Sequence, residues 1–300
     1  MNGSLEVVAQ DNNLCGEGPI WDGTRRRLIW TDLSSNLVYE FVPESGEKRI
    51  ISRNLMVSGI ALNRTGELIF AGSTGLYLWR EEGRCRALVA GAADQALCFN
   101  DLIADSRGRI YAGTYYWGPK GMQKHGSLYL IEGIGAICCV DEGIELANGL
   151  AFSPDDTILY FADSAARTIY TYDVDVETGS LSRRRAFARV PAEEGIPDGL
   201  TVDREGYVWA ALWYGAQVVR YDPDGVVEQR IEMPVKQVSS LAFGGEDLTD
   251  LFITTAAESW PSHLAPPGYD FEASNMGGSL YRMRAETPGK LEHQANFAWL

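Results

Sequence analysis

Asn148-Gly149-Leu150-Ala151-Phe152 opens on a carboxamide, passes through a residue with no side chain, and ends in an apolar run. Five other stretches repeat the pattern: Glu17-Gly18-Pro19-Ile20-Trp21, Ser58-Gly59-Ile60-Ala61-Leu62, Asn100-Asp101-Leu102-Ile103-Ala104, Asp198-Gly199-Leu200-Thr201-Val202 and Ser239-Ser240-Leu241-Ala242-Phe243. Their openings lie 41, 42, 48, 50 and 41 residues apart. A strand-rich unit recurring at that interval is the mark of a propeller blade. The expected fold is therefore all-β: a six-bladed β-propeller of four-stranded antiparallel blades around a central channel, with residues 1–300 as one domain.

The sequence between the repeats agrees. Leu150-Ala151-Phe152 runs into the turn Ser153-Pro154-Asp155-Asp156, then into Ile158–Ala162 and Thr168–Tyr172. The next copy does the same through Asp203-Arg204-Glu205-Gly206, Val208–Leu212 and Val218–Tyr221. Turn residues between β-branched and aromatic runs are the hairpin signal. A ring of blades must close, because an open edge strand invites aggregation. Leu5–Ala9 is expected to supply the outer strand of the last blade, with the segment near Gln294–Phe297 as the alternative. Two connections are long, Tyr115–His125 and roughly Ala256 to Gly278. Both follow the second strand of a blade, which returns to the face where the inner strand starts. Long, aromatic loops there read as an ordered lid over the ring of polar openings.

Composition removes several classes of function. The net charge is −15 and 45% of residues are hydrophobic. Arg25-Arg26-Arg27 and Arg183-Arg184-Arg185 are short and read as solvated hairpin turns, so nucleic acid is not an expected partner. No apolar stretch approaches the roughly 18–20 residues of a membrane span. The opening residues show neither a basic nor an apolar leader segment. Cys15, Cys85, Cys98, Cys138 and Cys139 are odd in number and lack zinc-type spacing, which points to free thiols and a cytoplasmic setting.

If the six openings are equivalent in space, Glu17, Ser58, Asn100, Asn148, Asp198 and Ser239 ring one axis. Two carboxylates and two carboxamides among them form the oxygen-donor set of a hard divalent cation. Glu17, Asn148 and Asp198 are the expected ligands, Asn100 a fourth. Ca²⁺ suits all-oxygen ligation best, and Zn²⁺, Mn²⁺, Mg²⁺ or Fe²⁺ could also occupy it. Ser58 and Ser239 are expected behind the ligands or along the channel. An open site of this kind polarises a carbonyl or phosphoryl oxygen and activates water, which is hydrolytic chemistry. The three histidines are scattered, and neither a GxSxG elbow nor a phosphate-cradling loop is present. Cys98 alternates with Asn100 along a strand and is expected in the pocket wall rather than as a nucleophile.

The chain resembles the regucalcin/gluconolactonase family, which also includes luciferin-regenerating enzymes. The resemblance rests on Leu14-Cys15-Gly16-Glu17-Gly18-Pro19-Ile20-Trp21, Phe99-Asn100-Asp101, Asn148–Asp155 and Pro197-Asp198-Gly199-Leu200. It implies a propeller with one catalytic divalent metal that opens a lactone to its hydroxy acid. It further implies that Asn100 contacts substrate and that Asp198 is the candidate base. One departure stands out: sugar lactonases of the family commonly carry Arg two residues before the Asn, and here that residue is Cys98. A bidentate charged donor is replaced by a small weak one. Tyr115, Tyr116, Trp117, Trp213, Tyr214 and Trp260 gather on the same face, and Cys98, Tyr115, Trp117, Trp213 and Trp260 are the expected substrate contacts. The expected substrate is a sugar lactone or a less hydroxylated relative. The alternatives are a non-catalytic calcium- or ligand-binding propeller, or a hydrolase acting on phosphoesters and organophosphates.

Overall fold

The computed structural model describes residues 4–81, 83–91, 97–118, 120–259 and 262–299. The described residues form six four-stranded antiparallel sheets and one two-residue hairpin, arranged as a β-propeller. In the fourth blade, strands Ala147–Phe152, Ile158–Asp163, Thr168–Val174 and Leu181–Arg189 step outward from the axis in chain order. The other inner strands are Gly16–Asp22, Gly59–Leu62, Phe99–Ala104, Ile196–Val202 and Val238–Gly244. Each touches the inner strands of the preceding and following blades, and the sixth touches the first, so the ring closes.

Period-two alternation explains the packing. In a strand, neighbouring side chains point to opposite faces, and here both faces of every blade are covered. Within the strand Arg27–Asp32, Leu28 and Trp30 face blade six, where they meet Phe252 and Leu280. Ile29, between them, faces Ile60 and Phe70 of blade two. Six apolar clusters result, one for each blade–blade interface. A seventh, holding Cys15, Leu33, Ile196, Trp213, Tyr214 and Ala256, belongs to no such interface and lies beneath the lid.

The ring is closed by Glu6–Gln10, which pairs antiparallel with Ser279–Arg284 as the outer strand of blade six. The C-terminal segment does not take that place. It crosses the opposite face, where Asn63 bridges Ala295 and the Asn63 side chain accepts from the Phe297 amide at 2.9 Å. Two expectations about arginine are corrected. Arg27 is not solvated but buried, held by Asp22 at 3.1 Å and by Glu40. Arg183, Arg184 and Arg185 lie within the outermost strand of blade four rather than in a turn, and they pair with Asp173 and Asp141.

Candidate functional site

Each polar opening sits at the start of an inner strand, where the chain enters the ring. In five blades the ladder slips there: between Glu17 and Ile20, Phe99 and Leu102, Ala147 and Leu150, Pro197 and Leu200, and Val238 and Ser240. A bulge re-aims the side chain it carries. The four bulges of blades one, three, four and five hold Glu17, Asn100, Asn148 and Asp198, and all four residues line one cavity of about 460 Å³. The inner strand of blade two, which follows Ser58, pairs without a bulge. Ser58 donates to the Phe99 carbonyl at 2.9 Å, and Ser239 bonds Gly16 and Thr254, so both serines tie neighbouring strands together. Neither is a lining residue of the cavity among the described residues.

In blades four and five the inner strands approach one another too closely at the axis for a side chain after the opening residue. A Cβ on Gly149 would stand 2.4 Å from the Leu200 nitrogen and 2.5 Å from the Asp198 carbonyl oxygen. One on Gly199 would stand 2.1 Å from the Ser240 hydroxyl. Glycine after Asn148 and Asp198 is what lets these two strands close up on their neighbours.

Hydrogen bonds orient the amides. Asn100 donates through Nδ2 to the Ala147 carbonyl at 2.8 Å, and Asn148 donates to Asp198. Each amide thereby keeps its oxygen for the cavity. The carboxylates have less support. Glu17 accepts from the Gly18 amide at 3.2 Å, while Asp198 Oδ1 is buried with no hydrogen-bond partner. Burial and the neighbouring Asp101 push Glu17 up to about 8, against the pull of the Gly18 amide. Burial, Glu17 and Asp101 drive Asp198 well above the usual carboxylate range, and the Asn148 amide opposes them only in part. No Lys, Arg or His is found among the described lining residues. Buried like charges with an orphaned oxygen and no cationic side chain are an electrostatic defect in the bare chain. A divalent cation at the four oxygens would remove it, so the donor set fits a hard metal ion. No group of three or more His, Cys, Asp and Glu side chains forms a ready metal cluster among the described residues; two of the four donors here are amides.

Above this floor the cavity is apolar. Tyr115, Trp117 and Trp213 line it, together with Cys15, Leu33, Gly118, Leu146 and Ile196. Cys98 is not among the lining residues. It is half-buried, and its thiol pairs with the hydroxyl of Tyr115, which takes the place in the wall. Trp260 lies outside the described residues. The two long loops meet across the mouth: Trp117 stacks on His263 with ring centres 5.0 Å apart and donates its indole N–H to the Glu145 carbonyl at 2.8 Å. Arg167 anchors the second loop by donating to the Leu264 carbonyl at 2.6 Å.

Sequence reasoning missed Asp32 and Asp163. Each ends the second strand of its blade and accepts two backbone amides from the loop that leads into the inner strand. Asp32 holds Leu14 and Cys15, both at 3.0 Å; Asp163 holds Glu145 at 3.0 Å and Leu146 at 2.9 Å. They fix the approach to Glu17 and Asn148. The signal was present as Thr31-Asp32-Leu33-Ser34 and Ala162-Asp163-Ser164-Ala165, an Asp at the same place in two blades.

Known proteins match this architecture from end to end. Pentonolactonase XacC of Haloferax volcanii is 34% identical over 288 residues, covering 94% of this chain and 94% of that protein. The structure of a luciferin-regenerating enzyme superposes with a TM-score of 0.87 at 26% identity, covering 98% of this chain and 99% of that one. A calcium-binding protein, regucalcin from Agrobacterium tumefaciens, superposes with a TM-score of 0.85 at 27% identity, covering 97% of each chain. The model of the SMP-30/Gluconolactonase/LRE-like region matches residues 15–257, which contain all four oxygen donors of the cavity floor, and the chain belongs to that family.

Proposed function

We propose that this protein is a metal-dependent lactonase, working as one domain of 300 residues on a small-molecule lactone. The observation that carries the reading is the floor of the cavity: Glu17, Asn100, Asn148 and Asp198 converge with unsatisfied oxygen, and no cationic side chain is among the described lining residues. The relative named as a pentonolactonase, and the gluconolactonase in the family's description, support the substrate class. Glu17, Asn148 and Asp198 would hold the ion, Ca²⁺ by the chemistry of the donors, with Asn100 beside them. When bound, such an ion polarises the ester carbonyl and lowers the pKa of water. The protein's own share is positional. Asn100, braced through Ala147, presents its oxygen to ion or substrate. Asp198, oriented by the Asn148 amide, is the candidate base for an attacking water. Leu33, Leu146, Ile196 and the Trp117–His263 lid exclude bulk solvent. The five unpaired thiols support a cytoplasmic setting.

The test is to strip the protein with chelator, return metals singly, and follow acid release from five- and six-carbon sugar lactones and from simple γ-lactones. Acid release restored by a metal supports the reading. Metal that raises the melting temperature without acid release from any lactone overturns it in favour of a binding protein.

A further inference from the structure

We propose that the cavity is built for lactones whose ring carries an apolar substituent, alkyl or aryl, which Leu33, Leu146, Ile196 and Trp213 seat. The inference rests on the lactonase reading and narrows its substrate class. Three observations carry it. First, oxygen donors are confined to the floor, while the wall opposite is aliphatic and aromatic. Second, Leu33, Ile196 and Trp213 belong to the one apolar cluster that fills no blade–blade interface, so joining two sheets does not account for its composition. Third, the side-chain N–H and O–H groups of the aromatic wall are engaged: the Tyr115 hydroxyl pairs with Cys98, the Trp117 indole N–H with Glu145, and the Trp213 indole with Tyr214. Arg167, the cation beneath the lid, gives its guanidinium to the carbonyls of Gly195 and Leu264.

A polyhydroxylated lactone entering this wall would bury hydroxyls without partners, at a cost of roughly 10- to 100-fold in kcat/KM for each. An alkyl chain meets the opposite situation. Each methylene moved from water onto the wall raises kcat/KM by about 3- to 4-fold, until the space is full. A cavity of about 460 Å³ holds the lactone ring and several such carbons.

The experiment uses the full chain with its metal restored. kcat/KM is measured for γ-butyrolactone, for γ-lactones lengthened one methylene at a time to γ-nonalactone, for dihydrocoumarin, and for five- and six-carbon sugar lactones. The expected result is a rise of about 3- to 4-fold per methylene over the first few carbons, with γ-nonalactone and dihydrocoumarin ahead of every sugar lactone. Leu146→Ser and Ile196→Ser should depress γ-nonalactone at least tenfold more than γ-butyrolactone. A flat series, or sugar lactones preferred tenfold over γ-nonalactone, overturns the proposal and leaves the lactonase standing. The wild-type series decides this even where a variant fails to fold. No hydrolysis of any lactone overturns the proposal and the lactonase reading together.

Discussion

Asp198→Asn removes one charge from the cavity floor at nearly constant shape, and its effect on stability should reverse with metal. In the wild type, a metal at one hundred times its Kd stabilises the folded chain by about 2.7 kcal/mol. Unfolding entropy of about 2.1 cal/mol/K per residue gives roughly 0.6 kcal/mol/K for a chain of 300 residues. The melting temperature should therefore rise by about 4 °C on adding metal. Losing one of two carboxylate ligands weakens binding by about 100-fold or more, comparable to removing a charge-assisted contact. The same metal concentration then contributes only about 0.4 kcal/mol, a shift below about 1 °C. Without metal the order changes. Asp198 is buried beside Glu17 and Asp101, its Oδ1 has no partner, and each carboxylate raises the others' free energy. Relieving that repulsion should leave the metal-free variant at or above the metal-free wild type. Calorimetry of both proteins, with chelator and with a metal series, gives the four melting temperatures. A variant that keeps the full metal-induced shift, or that melts several degrees lower than wild type without metal, would refute the assignment of Asp198 to the metal.

Four further outcomes follow from the geometry. Gly149→Ala places a Cβ 2.4 Å from the Leu200 nitrogen, so it should cost about 2 kcal/mol or more and lower activity by shifting the strand that carries Asp198, as melting and kinetics will show. Trp117→Ala opens the lid and should lower kcat/KM about tenfold with less than about 1 kcal/mol lost in stability, since Trp117 is only half-buried; equal kinetics would remove the lid from the mechanism. Glu67 is held down to about 2 because hydrogen bonds from Thr65, Asn63 and Arg80 outweigh the opposing effect of burial. Its contribution, at most about 3 kcal/mol, is complete above its ordinary 4.5 and disappears as pH falls toward 2, so Glu67→Gln should lose its disadvantage in acid melts. Removing residues 1–10 bares the edge of Ser279–Arg284 and uncovers Leu280, so the shortened chain should melt lower and self-associate, as light scattering will report.

The blades and the floor of the site could be read from the chain because both depend on the repeat. Glu17, Asn100, Asn148 and Asp198 hold one position in successive copies, and equivalence along the chain became proximity at the axis. Closure by the N-terminal strand could be read for the same reason, since blade six lacked an outer strand. What escaped was set by contacts between residues far apart in sequence. Three consecutive arginines look solvated, and nothing local shows that Arg27 turns inward between Asp22 and Glu40. Cys98 was expected in the wall by strand alternation, yet Tyr115, just past the end of the neighbouring strand, lines the cavity and takes its thiol as a partner. The stacking of Trp117 on His263 joins loops of different blades, and no pattern in either loop announces it.

This division has a consequence for how such a site can change. The oxygen donors stand on inner strands, each fixed by a ladder on one side and a neighbouring blade on the other, with Gly149 and Gly199 leaving no room for drift beside Asn148 and Asp198. Shifting such a strand moves backbone in two blades. Leu33, Leu146 and Ile196 stand at strand ends, and Tyr115 and Trp117 on the loop beyond. Substituting them changes what the cavity accepts without disturbing the floor. The neighbourhood of Cys98 illustrates this: its thiol pairs with Tyr115 outside the cavity lining, while Asn100, two residues on, is bonded to Ala147 across the blade boundary. Chemistry is thus held by the rigid part of the repeat and selectivity by its margins. Wall substitutions should therefore redistribute kcat/KM among lactones while leaving the metal-dependent melting shift intact, and floor substitutions should remove both.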